Sequence, residues 1–132
     1  MRESALAGPE GWIPVDAASC ETRFTNVFAV GDVTAVPLGG QAWLPKQGVF
    51  AHGQADAVAQ TIAARLRGEG SEGRFAGEGE LFVETGGGVA GVVCGHFFAR
   101  PRPRALVMPP TPHWHAARMA VAGHWWGTYF GH

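Results

Sequence analysis

The sequence predicts an α+β fold of short strands, one long central helix, a β-hairpin and a C-terminal aromatic amphipathic helix. Three observations predict it. A brief apolar stretch, Val27-Phe28-Ala29-Val30, runs straight into Gly31-Asp32 and a loop of glycine, proline and small residues. Residues 46–67 then repeat apolar and alanine positions at helical spacing. Two β-like stretches flank Gly86-Gly87-Gly88, and an aromatic-rich tail follows them. The 132 residues suffice for one ordinary domain, 46% hydrophobic composition supports a packed core, and 20 glycines with nine prolines call for many turns.

Taken in order, residues 1–11 read as a frayed lead-in. Trp12–Asp16 fits a short edge strand, because Pro14 is tolerated only where its missing N–H is not needed. Residues 26–30 read as a buried strand. In the helix at 46–67, Val58, Ile62 and Leu66 recur every fourth residue, and Ala51, Ala55 and Ala59 form a second, small stripe. Arg65 and Arg67 suit its last turn, and Gly68 is a natural stop. Residues 68–79 form a Gly/Glu-rich linker, so the chain divides into 1–68 and 69–132. Glu80–Thr85 and Val89–Phe98 read as a hairpin, residues 100–112 as irregular and proline-rich, and residues 113–130 as the last helix. On that helix Trp114, Arg118, Val121, Trp125 and Tyr129 share one face, widened by Met119, Trp126 and Phe130. Ala116, Ala120, Gly123 and Gly127 form a small face expected to press on the protein body.

Charge is unevenly laid out. Residues 1–84 hold all eleven acids and six of the ten Lys/Arg, a net −5, whereas residues 85–132 hold four arginines and no acid. A basic, aromatic tail suits an anionic partner or a membrane surface, or packing on the acidic first part. Four arginines without a recognition motif argue against nucleic acid. His113, His115 and His124 lack a helping carboxylate and a ligand spacing, so no metal site is expected. Cys20 and Cys94 give no zinc or CxxC spacing and fit a reducing, cytoplasmic setting. The N-terminus lacks a signal-peptide pattern, and no run of eighteen apolar residues occurs.

The chemistry concentrates in residues 25–62. A carboxylate after a strand, Asp32, can accept hydrogen bonds from sugar-like hydroxyls, and Gly31 before it lets a ligand approach the backbone; Asp32 could equally cap a turn. Lys46, Gln47 and Gly48 open the helix, where unpaired N–H groups and a lysine make a positive site, unless Lys46 is merely solvated. Gly86-x-Gly88-x-x-Gly91 mimics a dinucleotide fingerprint, but the following VVCGHFF is β-like and no acid lies beyond Glu84, so these glycines read as a turn.

Thr25–Asp32, T-x-V-F-A-V-G-D, resembles the second flavin-binding signature of the FAD-dependent pyridine nucleotide-disulfide oxidoreductases. The stretch LPKQGVFAHGQADAVAQTIA resembles a narrower branch, the sulfide:quinone oxidoreductases and the flavocytochrome c sulfide dehydrogenase flavoprotein, with Lys46, Gln47 and Gly48 matching in place. The type II NADH:quinone oxidoreductases are the neighbouring branch. The resemblance implies that Asp32, with Gly31 beside it, holds the ribityl chain of FAD, and that Lys46 with the helix start steadies the reduced ring. It also implies quinone or another small acceptor, with peripheral membrane contact through the C-terminal helix. The N-terminal Rossmann unit of such an enzyme is not in these residues. The expectation is therefore an incomplete FAD/NAD(P)-binding fold, the C-terminal third of an oxidoreductase, inactive alone. In the sulfide-oxidising branch a reactive cysteine falls near Leu81, which cannot be a nucleophile; Cys94 reads as a buried small hydrophobe, so the catalytic residues stay unassigned. The alternative is a non-enzymatic fragment that dimerises through an exposed apolar patch.

Overall fold

The structure, a computed structural model, describes residues 4–40 and 42–131. It is α+β, with β1 (Ile13–Pro14), β2 (Thr34–Ala35), β3 (Pro37–Gly39), β4 (Ala42–Trp43), α1 (Gly48–Arg67), β5 (Glu78–Gly86), β6 (Val89–His96), β7 (Arg104–Thr111) and α2 (Pro112–Phe130). Strands β1 and β2 pair in parallel, Ile13 opposite Thr34; β3 and β4 form a small antiparallel ribbon; the third sheet has the order β5-β6-β7. The chain divides into two compact units. One runs to Gly79 and includes His96–Arg104; the other comprises Glu80–Gly95 and the residues from Ala105 onward.

The first unit is built on α1. Its buried stripe is Phe50, Gln54, Ala57, Val58, Thr61 and Ala64. This corrects the expected face: of Val58, Ile62 and Leu66 only Val58 is buried, and Leu66 is 84% exposed. The covered side is marked by small and hydrogen-bonding residues because backbone approaches it closely. Thr61 Oγ1 donates to the Gly73 carbonyl, and a Cβ on Gly73 would lie 2.3 Å from the Ala57 oxygen. Phe50 is the hydrophobic centre, edge-on to Phe75 and Phe97 at centroid distances of 6.2 and 5.0 Å. The helix begins at Gly48, two residues later than expected, since Gln47 is still extended. It ends as expected: Gly68 is left-handed, and the Glu69 N–H reaches back to the Ala64 carbonyl.

Two further expectations change in this unit. Residues 26–30 are not a strand; a single antiparallel bridge joins Glu21 to Phe28. The partnering segment turns at Cys20 and the chain at Asn26, both with positive φ, so no ladder extends. Residues 4–11 are not frayed. Turns tie them down, with the Gly8 N–H on the Trp12 carbonyl and Arg23 donating to the Ala5 carbonyl; residues 1–3 lie outside the described residues.

An ion network clamps the end of α1. Arg65 forms a fork to both Glu21 oxygens at 2.8 and 3.0 Å and also meets Glu72 at 2.7 Å. The Arg65 guanidinium, with the Asn26 N–H, holds the Glu21 carboxyl down at about 2. A carboxylate lowered in the fold contributes stability above its ordinary value of 4.5 and loses it as pH falls toward 2. Thermal melts between about pH 5 and pH 2 should therefore show a steeper stability loss for the parent than for Glu21→Gln; equal slopes would remove this role.

The second unit holds a hairpin at Gly86-Gly87-Gly88, all three at positive φ (89°, 63° and 73°), as a tight glycine turn requires. Leu81, Ala90 and Val92 are buried. Residues 104–111, expected to be irregular, form β7. Pro109 and Pro110 are accommodated because β7 is an edge strand with β6 on one side only. Helix α2 is capped by Thr111, whose hydroxyl accepts the Trp114 N–H, with Pro112 in its first turn. The expected packing of its small face does not occur. An added Cβ at Gly123 or Gly127 would meet nothing within 4 Å, and no residue of α2 is buried. Its first turns are held through Glu84, which meets His115 Nδ1 at 3.0 Å and Arg118 Nε at 3.3 Å.

Candidate functional site

The candidate site forms where the turn after Phe28 meets the start of α1. Val30 is extended, and Gly31–Val33 then makes one short 3-10 turn with Gly31 at φ 75°, a region costly for any residue with a Cβ. A Cβ on Gly31 would also stand 3.4 Å from Ala51, so the turn lies close against the first turns of α1. The junction is held by Gln54, 1% exposed, whose Oε1 accepts the Gly31 N–H at 2.6 Å. The Thr34 hydroxyl, also buried, donates to the Gly31 carbonyl at 2.8 Å.

Gly31, Asp32, Lys46 and Gln47 thus line one crevice, floored by Gln54 and Phe50 and with only about 10 Å³ of room. Gly48 is the first residue of the helix behind it and does not line it. The Asp32 carboxylate is exposed at its edge and makes no hydrogen bond among the described residues. Nor does a side chain cap the N-terminus of α1, so its first-turn N–H groups are not taken up by the Gln47 side chain. Lys46 is turned elsewhere: its Nζ donates to the Thr34 carbonyl oxygen and stands 4.6 Å from the Trp12 ring centroid. Burial pulls its pKa down, and the Asp32 charge partly offsets this. An acceptor, a lysine and a helix start are within one small region, which suits a ligand that carries both hydroxyls and a developing negative charge.

Gln54 is the functional residue that sequence reasoning missed. A glutamine in an Ala-rich helix looks like a solvated position, and the signal available was only its four-residue spacing from Phe50. Gln54→Met should cost about 1–3 kcal/mol in urea unfolding, because the Gly31 N–H loses its acceptor. The exposed Gln60→Met should stay within about 0.5 kcal/mol; equal effects would show that the bond to Gly31 is not what Gln54 supplies.

The cysteines do not join this site. Cys20 is fully buried, and desolvation pushes its thiol up to about 11, so it is protonated and unreactive at neutral pH. Leu81 is buried in the second unit, and Cys94 lies on β6. Among the described residues no group of three or more His, Cys, Asp or Glu side chains could hold a metal ion, and no described helix is long and apolar enough to cross a membrane.

No family model and no curated protein matches the chain. Among solved structures, the sulfide:quinone oxidoreductase from the hyperthermophilic bacterium Aquifex aeolicus is similar to it, with a TM-score of 0.77 over 96% of this chain at 22% sequence identity. The likeness is one of fold. The chain spans 30% of the length of that structure.

Proposed function

We propose that these residues form the flavin-holding C-terminal part of an FAD-dependent oxidoreductase. The parent enzyme takes electrons from a small donor, sulfide or NAD(P)H, and passes them through FAD to quinone or another acceptor. One observation carries the reading: the exposed Asp32 carboxylate and the uncapped start of α1 converge on a single crevice, locked there by Gln54. The fold shared with a sulfide:quinone oxidoreductase supports it.

The residue types at the mouth of the crevice suit such a group, which would lie across it rather than inside its about 10 Å³. Asp32, an exposed acceptor with no hydrogen bond among the described residues, would take the ribityl hydroxyls, and Gly31 would let the chain approach the backbone. Gln47 and the first-turn N–H groups from Gly48 onward would supply N–H dipoles on the ring's side, and Lys46, held by the Thr34 carbonyl beside them, would add positive charge from its present position. FAD, when bound, supplies the two-electron redox chemistry. This chain's own part is to bind, orient and stabilise charge electrostatically. The exposed aromatics of α2 (Trp125, Trp126, Tyr129 and Phe130) support an acceptor-side role at a membrane surface. They equally favour the second reading, an interaction module that dimerises through this face.

The test is the pigment. The full gene product, purified from its own host, should carry FAD that is released on heating and identified by chromatography. A colourless product that takes up no added FAD would leave the interaction module as the better account.

A further inference from the structure

Strand β7 is an edge of its sheet. Among the described residues, no backbone hydrogen bond from outside the sheet reaches residues 104–108, so the outer edge is open to a partner. Leu106 and Val107 are 62% and 69% exposed. Successive strand residues point to opposite faces, so uncovered apolar surface flanks this edge on both sides. Pro109 and Pro110 blunt only its far end, because they lack the N–H that an added strand would use. Charge marks the near end. β7 begins at Arg104 and follows directly on Arg100-Pro101-Arg102-Pro103. Arg118 pairs with Glu84, whereas Arg100, Arg102 and Arg104 are exposed and make no hydrogen bond or ion pair among the described residues. No acid follows Glu84 in the sequence.

We infer that the outer edge of β7, over residues 104–108, takes up an extended acidic peptide segment as an added strand. Strand addition draws affinity from main-chain hydrogen bonds and specificity from alternate side chains. Arg104 and Leu106 are two residues apart and so share one face of the strand. An antiparallel segment therefore sets an apolar side chain against Leu106 and, two residues toward its own C-terminus, a carboxylate against Arg104. Arg102 lies at most about 7 Å of chain from Arg104, inside a Debye length of about 10 Å, and adds to the attraction for acid. A second copy is the poorer occupant, since it would bring another row of arginines and no acid on that strand. A phosphate or lipid headgroup would use the arginines and leave Leu106 and Val107 uncovered. The inference does not rest on the flavin reading, because no residue of β7 lines the crevice.

The probe is the fluorescein-labelled peptide Val-Thr-Val-Thr-Glu-Thr-Glu, titrated into the full gene product and read by anisotropy. Saturable binding is expected, weakened about tenfold or more when lysines replace the glutamates. Arg104→Glu should weaken the glutamate peptide by a similar factor and strengthen the lysine peptide, with flavin content and unfolding midpoint unchanged. Leu106→Thr, which keeps a β-former at an exposed position, should weaken both peptides. Strand N–H groups point alternately to the two edges, so N-methylation of one alternate set of peptide residues should abolish binding and of the other set preserve it. No saturable binding up to about 1 mM, indifference to Arg104→Glu, or equal tolerance of both methylated sets would overturn the inference. Phosphatidylglycerol vesicles or single-stranded DNA that bind more tightly than the peptide, and lose that binding in Arg104→Glu, would overturn it by giving the arginines to phosphate. A dimer in sedimentation that Leu106→Thr dissolves would overturn it by giving the edge to a second copy. Absence of FAD from the purified protein, with peptide binding kept, would sink the proposed function and leave this site standing.

Discussion

Replacing Phe50 by alanine should destabilise the first unit by about 3–5 kcal/mol, the largest loss expected of any single side chain. Phe50 is 1% exposed and packs edge-on against Phe75 and Phe97, while Phe75 in turn packs on Phe98 at 5.4 Å. The surroundings cannot collapse into the space left behind. A Cβ on Gly79 would lie 2.5 Å from Phe50, and one on Gly77, at φ 72°, would lie 2.5 Å from Phe98. The backbone already presses on these rings, so truncation leaves a cavity rather than a rearrangement. Phe50 also floors the crevice beside Asp32, so the same substitution should loosen the start of α1. Denaturant unfolding reads the effect. Leu66→Ala, at an exposed position of the same helix, serves as the control, with a change of about 0.5 kcal/mol or less expected. A Phe50→Ala loss no larger than that of Leu66→Ala would show that the aromatic cluster is not the core.

Much of this architecture is legible in the residues, and the exceptions share a physical cause. The long helix, its Gly68 stop and the glycine hairpin are local features. Spacing or a left-handed glycine sets each, whatever lies nearby. The misread segments depend on partners. Residues 26–30 have strand composition, yet the segment they pair with turns away at Cys20, so one bridge forms. Residues 104–111 look irregular because of two prolines, yet an edge position makes those prolines harmless. On α1, Ile62 and Leu66 mark the apolar stripe by size, whereas the covered stripe contains Gln54 and Thr61, chosen by the backbone groups they meet. The α2 face was misassigned for the related reason that small residues permit close packing without compelling it.

The site divides in the same way. Gly31, Asp32, Lys46 and Gln47 could be picked out by their place between strand and helix, and they do share one crevice. The bond that fixes that crevice was not legible, because Gln54 lies 23 residues from Gly31. Nor was the direction of Lys46, which follows from the Thr34 carbonyl and the Trp12 face rather than from the helix it precedes.

Asp32 carries the functional account. Its carboxylate has no hydrogen bond to lose among the described residues, so its removal should leave the fold nearly untouched and fall almost wholly on the ligand. A hydrogen bond to a charged group is worth about 1.5–3 kcal/mol, which corresponds to roughly a 10- to 150-fold change in affinity. Asp32→Asn keeps the shape and one acceptor oxygen and should fall between the parent and alanine. The decisive measurement is the equilibrium affinity of the full gene product for FAD, in the parent, Asp32→Asn and Asp32→Ala, each with its unfolding midpoint. Affinity that falls in that order at constant stability is the predicted result; FAD held equally tightly by Asp32→Ala would contradict the account.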